Sequence, residues 1–559
     1  MKRTVQRWTV AAVASLLTVL IGACTSPSKS DAPLPRTDAL RLRVSNIVVI
    51  YAENRSFDNM FGRFPGARGL NEVIRGNGKP LPAYRPQRDR DGTVLSVLPP
   101  TWGGVTAPGT TPAVTQAQSA NLPNRPFSIE TAFRRTAKVS LSTATVTRDL
   151  YHRFFENQMQ INGGGNDGFA AWSDAGGLTM GYFDYSASAL YRLAGQYVLA
   201  DEFFEGAFGG SFLNHLYLIC ACAPEYPRAD APPSGARPSI AVLDKDASGG
   251  YLPRLTATEA SPRSALDGPP SFVLSGNLAP AGYFGADKFF AVNTMQPPYQ
   301  PSGNVPAATD TNRLYADPAN DTTLPPQTMP NIGDLLTAAG ITWKWYAGAW
   351  NAALADGTRE PNAQRTAIYA PRVPRGSPNF QPHHAPFNYF ANMDPVSHAE
   401  GRAEHLRDYA DLLTDAAAGT LPAVSFYKPQ GNLNQHEGYT NLDDGDVHIA
   451  DVVHRLQASP QWPHMVIVIT YDENGGVWDH VAPPKGDLLG PGTRVPTLIV
   501  SPLAKKHFVD HTRYDTGSIL RLISRRFGLP TLDGIAARDA ALASNRELPL
   551  GDLTNALEL

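Results

Sequence analysis

Cysteine is nearly missing from this 559-residue chain, with one at 24 and two more at 220 and 222. So few cysteines exclude a disulfide framework as the basis of the fold. Cys220 and Cys222 lie two residues apart in the apolar run "LYLICACA". Read as an extended strand, that spacing is poor for a bridge, so two buried thiols are expected. A strong charge of either sign is also missing. The net charge is −3, which leaves no electrostatic case for nucleic acid as a partner. After residue 24 there is no apolar run long enough to span a bilayer. Glycine (48) and proline (49) are plentiful instead, beside 42% hydrophobic and 18% charged residues. That is the composition of a globular protein rich in ordered loops.

The N-terminus reads as a targeting segment. Lys2, Arg3 and Arg7 precede the apolar "WTVAAVASLLTVLIGA", and Cys24 follows. That order predicts a signal peptide over 1–24 and an exported protein. "IGAC" resembles a lipobox, which would anchor the protein through lipid on Cys24; the alternative is an ordinary signal peptide with Cys24 incidental. The expected location is the periplasm, a membrane anchor on lipid, or secretion. Residues 25–42, "TSPSKSDAPLPRTDALRL", read as a tether. Residues 43–559 then read as one domain, with Gly/Pro-rich loop or lid insertions at about 63–130 and 224–330.

Within that domain, helical spacing alternates with short apolar runs. "NIVVIYAEN", "HMVIVITYDENGG" and "RVPTLIVSPLA" read as strands; "DVHIADVVHRLQAS" and "TGSILRLISRRFG" read as helices. The alternation predicts an α/β sandwich with a mostly parallel central sheet. In such sheets functional groups gather at the carboxyl ends of strands.

Two strand ends carry matching chemistry. "IVVIYAENRSFDN" delivers Glu53 and Asn54, and "VIVITYDENGG" delivers Asp472 and Glu473. Four carboxylate and amide oxygens around one point suit a divalent cation of the hard-ligand type, such as Mg, Ca or Mn. "FFEGAFGGSFLNH" places Ser211 after two glycines, where it can act as a nucleophile or a phosphate contact. It is not the G-x-S-x-G elbow, because Leu213 stands at the second glycine. His152, His383, His384, His436 and His480 fall in polar, Gly/Pro-rich settings suited to phosphate binding or acid–base work.

Together these stretches resemble the bacterial phosphoesterase family, which contains non-haemolytic phospholipases C and acid phosphatases. "ENRSFDNMFG" resembles its opening signature and "DENGGVWDHVAPP" its second; "INGGGNDGF" and "NLNQHEGY" resemble blocks between them. The resemblance implies a fold similar to the alkaline phosphatase superfamily, with a metal-assisted phosphoryl site. It places Glu53, Asn54, Asp472 and Glu473 at the metal and Ser211 at the nucleophile position. His152, His384 and His436 match phosphate-binding and acid–base histidines; Asn54, His383 and His480 are assigned to substrate binding. "GGSFLNH" resembles the acid phosphatase branch more than the phospholipase C pattern G-P-T-x-P-N-R. Asn59 departs from the family, which often has His there. The expectation is an exported, metal-dependent acid phosphatase working through a phosphoserine on small phosphorylated substrates, with an acidic optimum. Phospholipase C acting on phosphatidylcholine is the rival. A binding lipoprotein with a retired site is a second, and a sulfatase or phosphomutase a third.

Overall fold

The computed structural model describes residues 36–232 and 234–559. The leader, Cys24 and tether residues 25–35 lie outside the described residues. The far end of the expected tether is corrected: Arg36–Arg43 is a helix, α1, with Ala39 and Leu40 buried. Two adjacent apolar residues give this end of the segment something to bury, and it docks on a later helix.

The main sheet has eight strands. In chain order they are β1 (Asn46–Ala52), β2 (Val198–Ala200), β3 (Trp343–Ala347), β4 (Leu406–Asp408), β5 (Val424–Lys428), β6 (Met465–Tyr471), β7 (Thr497–Val500) and β8 (Phe508–Asp510). Across the sheet they run β4-β3-β5-β1-β6-β7-β2-β8. Only β7 runs against its neighbours β6 and β2; the other adjacent pairs are parallel. The mostly parallel α/β sheet expected from the alternation is present, with one reversed strand. Every residue of β1, β5 and β6 is buried. This is why those strands read as continuous β-branched and aromatic runs, not as alternating ones. Each fully buried Val or Ile contributes roughly 1.5–3 kcal/mol of hydrophobic stabilisation.

Helices cover the sheet. They include α2 (Phe154–Ile161), α3 (Ala189–Gln196), α4 (Ser211–Cys220), α5 (Tyr409–Ala418), α6 (Leu442–Gln457) and α7 (Gly517–Phe527). One group packs α1 and α4 on α7; another packs α3 and α5 on α6. Two helix groups on a sheet buried on both faces make a three-layer sandwich.

α4 corrects the reading of the two cysteines. The apolar segment is a helix, not the extended strand on which the bridge was judged poor, and it ends at Ala221 in the left-handed conformation (φ 50°). That reversal brings the Cα atoms of Cys220 and Cys222 to 5.1 Å, and the two are joined by a disulfide. Thiols were expected because i, i+2 bridging is geometrically poor in an extended strand; a helix end lifts that constraint. The Gly/Pro-rich stretches hold little regular structure: single turns at Leu70–Glu72 and Ala117–Ser119, and short pairings such as Leu243–Lys245 with Tyr251–Leu255 and Leu278–Ala279 with Phe290–Ala291.

Candidate active site

Three adjacent parallel strands end side by side. In their register Ile50 lies opposite Tyr427, and Ala52 lies opposite Tyr471. Their next residues therefore emerge together: Lys428 from β5, Glu53 and Asn54 from β1, Asp472 and Glu473 from β6. All five are buried. Asn54 has a left-handed backbone (φ 58°), and its N–H donates to Asp472 Oδ1 at 3.0 Å. A positive φ at a non-glycine residue carries strain that concentrates at functional sites. Gly475 packs against it: a Cβ there would lie 2.6 Å from the Asn54 carbonyl oxygen.

Ser211 arrives from the opposite side as the first residue of α4, behind Gly210. Gly209 makes the approach feasible. Its φ is +87°, and a Cβ would sit 2.3 Å from the Phe154 backbone nitrogen. Ser211 Oγ–H donates to Glu53 Oε2 (3.0 Å) and faces Glu473 Oε1 at 3.4 Å. The orientation of the Asn54 amide that satisfies its neighbours donates to Glu473 Oε1 (2.8 Å) and Glu53 Oε2 (3.1 Å) and accepts from His436 Nε2 (3.0 Å).

Histidines close the group. His384 Nε2 lies 3.2 Å from Glu53 Oε1, and His152 Nε2 lies 3.5 Å from Glu473 Oε1. His383 shares with Ser211, His152 and His436 the wall of a cavity of about 250 Å³, and its Nδ1 meets Tyr369 Oη at 2.7 Å. Every residue expected at the metal, the nucleophile and the acid–base positions is thus in one group. His480 is not in it. Its Nδ1 lies 2.6 Å from Asp58 Oδ2, and its Nε2 lies 3.4 Å from Glu72 Oε2. Asp58 and Glu72 hold the ring away from the Ser211 cavity, so the geometry does not support the substrate-binding role expected for it.

Two residues escaped the sequence reading. His215 sits one helical turn beyond Ser211, its Nδ1 on Ser211 O at 2.7 Å and its Nε2 4.0 Å from Glu53 Oε1. The i, i+4 spacing of Ser211 and His215 was the available signal. Lys428 ends β5 and donates to Glu53 Oε1. Its signal was the strand-end grammar already used for Glu53 and Asp472. Arg55 donates to Gln435 O at 3.0 and 2.7 Å and pairs with Glu437 at 2.5 Å, fixing the loop after β1. Asn59, the family departure, donates to Gly181 O at 3.0 Å and accepts from Arg55.

The electrostatics are lopsided. Burial, then the neighbouring Asp472, push the Glu53 carboxyl well up despite Lys428. Burial, Asp472 and Glu205 do the same to Glu473. Burial first, with cationic neighbours second, pushes His215, His384 and His436 well down, and His383 to about 3. Asp472 Oδ2, His215 Nε2 and His384 Nε2 are buried without a hydrogen-bond partner. Crowded acids and orphaned acceptors converging on one point fit a bound cation. Glu53, His215 and His384 form one candidate ligand group by geometry. The two imidazoles widen the donor set beyond the hard oxygens expected, since nitrogen also suits Zn and Fe.

The fold and the site together define an α/β protein with a carboxylate–serine–histidine centre at the ends of parallel strands. Residues 44–530 match the Phosphoesterase family, and the chain belongs to it. It is similar to Phospholipase C B of Mycobacterium tuberculosis, 32% identical over 170 residues, which is 26% of this chain and 31% of that protein. It is also similar to Non-specific phospholipase C1 of Arabidopsis thaliana, 34% identical over 145 residues, covering 21% of this chain and 27% of that one. The matched stretch spans under a third of the length of these relatives. Among solved structures it is similar to a protein in the alkaline phosphatase superfamily from Vibrio parahaemolyticus, 12% identical, covering 38% of this chain and 50% of that one, TM-score 0.21. Phosphonate monoester hydrolase from Silicibacter pomeroyi is 12% identical over 64% of this chain and 72% of that one, TM-score 0.22.

Proposed function

We propose that this protein is an exported, metal-dependent acid phosphatase that hydrolyses phosphate monoesters through a phosphoserine. The observation that carries the proposal is Ser211 Oγ donating to Glu53 inside the buried group of Glu53, Asp472 and Glu473. Glu53, Asn54, Asp472 and Glu473, with His215 and His384 in reach, would hold the cation. When bound, it would supply Lewis acidity at a phosphoryl oxygen and favour the serine alkoxide.

The chain's own groups do the rest. Glu53 Oε2 or Glu473 Oε1 takes the Ser211 proton as Oγ attacks phosphorus. Lys428 offsets one negative charge at Glu53, and Asn54 places a neutral amide where a second acid would repel phosphate. His152 and His436 stand at the cavity wall, placed to protonate the departing alcohol. Water then attacks the phosphoserine with those roles reversed. Burial pushes His436 well below the usual imidazole range, so it gains the proton it would donate only in acid, the direction of an acidic optimum.

Phospholipase C activity on phosphatidylcholine-type diesters is the second reading, and the names of the curated relatives favour it. The small cavity with polar and histidine walls favours the monoesterase. Assaying p-nitrophenyl phosphate against phosphatidylcholine decides. Preferential release of p-nitrophenol is expected; faster release of phosphocholine would install the second reading.

A further inference from the structure

The cavity over Ser211 has a wall that the chemistry above does not use. Arg153 follows His152 and lines the same cavity, together with Asn277, Asn293 and Thr294 from the 224–330 insertion. Arg153 Nη2 donates to Gly276 O (3.2 Å) and Asn277 Oδ1 (3.1 Å). Asn293 ties the two segments together: its Oδ1 accepts from Phe154 N (3.0 Å) and its Nδ2 donates to Gly276 O (2.8 Å). Ser275 adds a hydrogen bond to Glu156. The insertion is thereby latched to the start of α2, and the guanidinium is fixed at the cavity.

Arg153 makes no direct ion pair among the described residues; Glu156 feels its charge only through space, and the guanidinium lines the cavity. Glu156 accepts from Ser275, and Asp149 lies beside His152. The histidines and amides on the same wall bring no negative charge, and Phe212 is the one aromatic carbocycle lining it. A quaternary ammonium needs several aromatic faces or an acid; this wall has neither. A guanidinium with free donors matches a planar or tetrahedral anion instead.

Building on the phosphatase reading, we propose that Arg153, backed by Asn277 and Asn293, selects phosphate monoesters whose leaving alcohol carries a second anionic group, such as a second phosphate. Ser211 and its neighbours receive the reacting phosphoryl group while Arg153 receives the other.

The test uses the full-length, metal-loaded protein with three probes: a nucleoside 3′,5′-bisphosphate, p-nitrophenyl phosphate and phosphocholine. The bisphosphate should have the highest kcat/KM and phosphocholine the lowest. Arg153→Gln should cut the ratio of bisphosphate to p-nitrophenyl phosphate kcat/KM about tenfold, mainly through KM, while Arg153→Lys should restore part of it because charge survives without the fork. No preference in the wild type, or an equal fall for every probe with Gln and Lys alike, overturns the proposal and leaves Arg153 a wall-building residue. A binding arm separates this from the phosphatase reading. Calorimetry with the bisphosphate on Ser211→Ala protein needs no turnover, and Arg153→Gln should weaken it about tenfold. Lost turnover of every probe with that weakening intact would break the phosphatase reading alone; unchanged affinity would break the role of Arg153.

Discussion

Two buried clusters of acid and histidine draw on the segments that follow β1 and β6, and they balance charge in different ways. Around Ser211, Glu53, Asp472 and Glu473 crowd together with one cation, Lys428. The second cluster joins Asp58, Asp479 and His480, and it too has the spacing of a ligand group. There Arg494 already fills the centre. Its Nε donates to Asp479 Oδ1 (2.9 Å), its Nη2 to Asp58 Oδ1 (3.1 Å), and it lies 4.2 Å over the Phe57 ring. Both clusters are buried, and both come from family signatures. The difference teaches that acid and histidine spacing alone does not define a metal site. What counts is whether the protein supplies the counter-charge itself. In the first cluster Glu53 and Glu473 are pushed up; in the second, Asp58 is pulled down by His480 and Arg494 against burial, while burial still lifts Asp479 to about 6 against Arg494.

The largest effect should come from the first cluster. Ser211→Ala should lower turnover about 10⁴-fold while leaving the fold intact. Steady-state kinetics beside a thermal melt checks this; a variant with near-wild-type turnover removes Ser211 as nucleophile. A smaller effect, of a different kind, should follow in the second cluster. Arg494→Met leaves Asp58 and Asp479 buried without their partner and should cost about 3–5 kcal/mol of stability. Denaturant unfolding measures it, and a variant as stable as wild type would mean the cluster is not balanced by Arg494.

The smallest effect concerns pH. Burial pulls His480 down, but Asp58 and then Glu72 pull harder, leaving it at about 9. A histidine raised above its unfolded value of about 6.5 stabilises the native state fully below that value, and the contribution fades as pH rises through about 9. The stability difference between wild type and His480→Gln should therefore shrink between those limits. A difference that stays constant from pH 6 to 10 would show that His480 is not charged in the fold.

Much of this contrast was legible in the sequence. The apolar runs of β1 and β6 showed the strands, and their ends showed Glu53, Asn54, Asp472 and Glu473. What sequence could not show was pairing across long separations. Lys428 meets Glu53 because β5 lies beside β1, 375 residues apart in the chain. His480 fell in a signature and so seemed part of the same site, until Asp58 and Glu72 were seen to engage its ring. The cysteines misled because an apolar run of that length reads equally as strand or helix. As the end of a helix, the same residues close a disulfide.

The central claim is that the first cluster holds a divalent cation and the second does not. Elemental analysis of the purified full-length protein tests it directly, comparing wild type, Asp472→Asn and Asp58→Asn. Bound metal in wild type and Asp58→Asn, with loss in Asp472→Asn, is the predicted result. Metal retained by Asp472→Asn, or lost from folded Asp58→Asn, would contradict it.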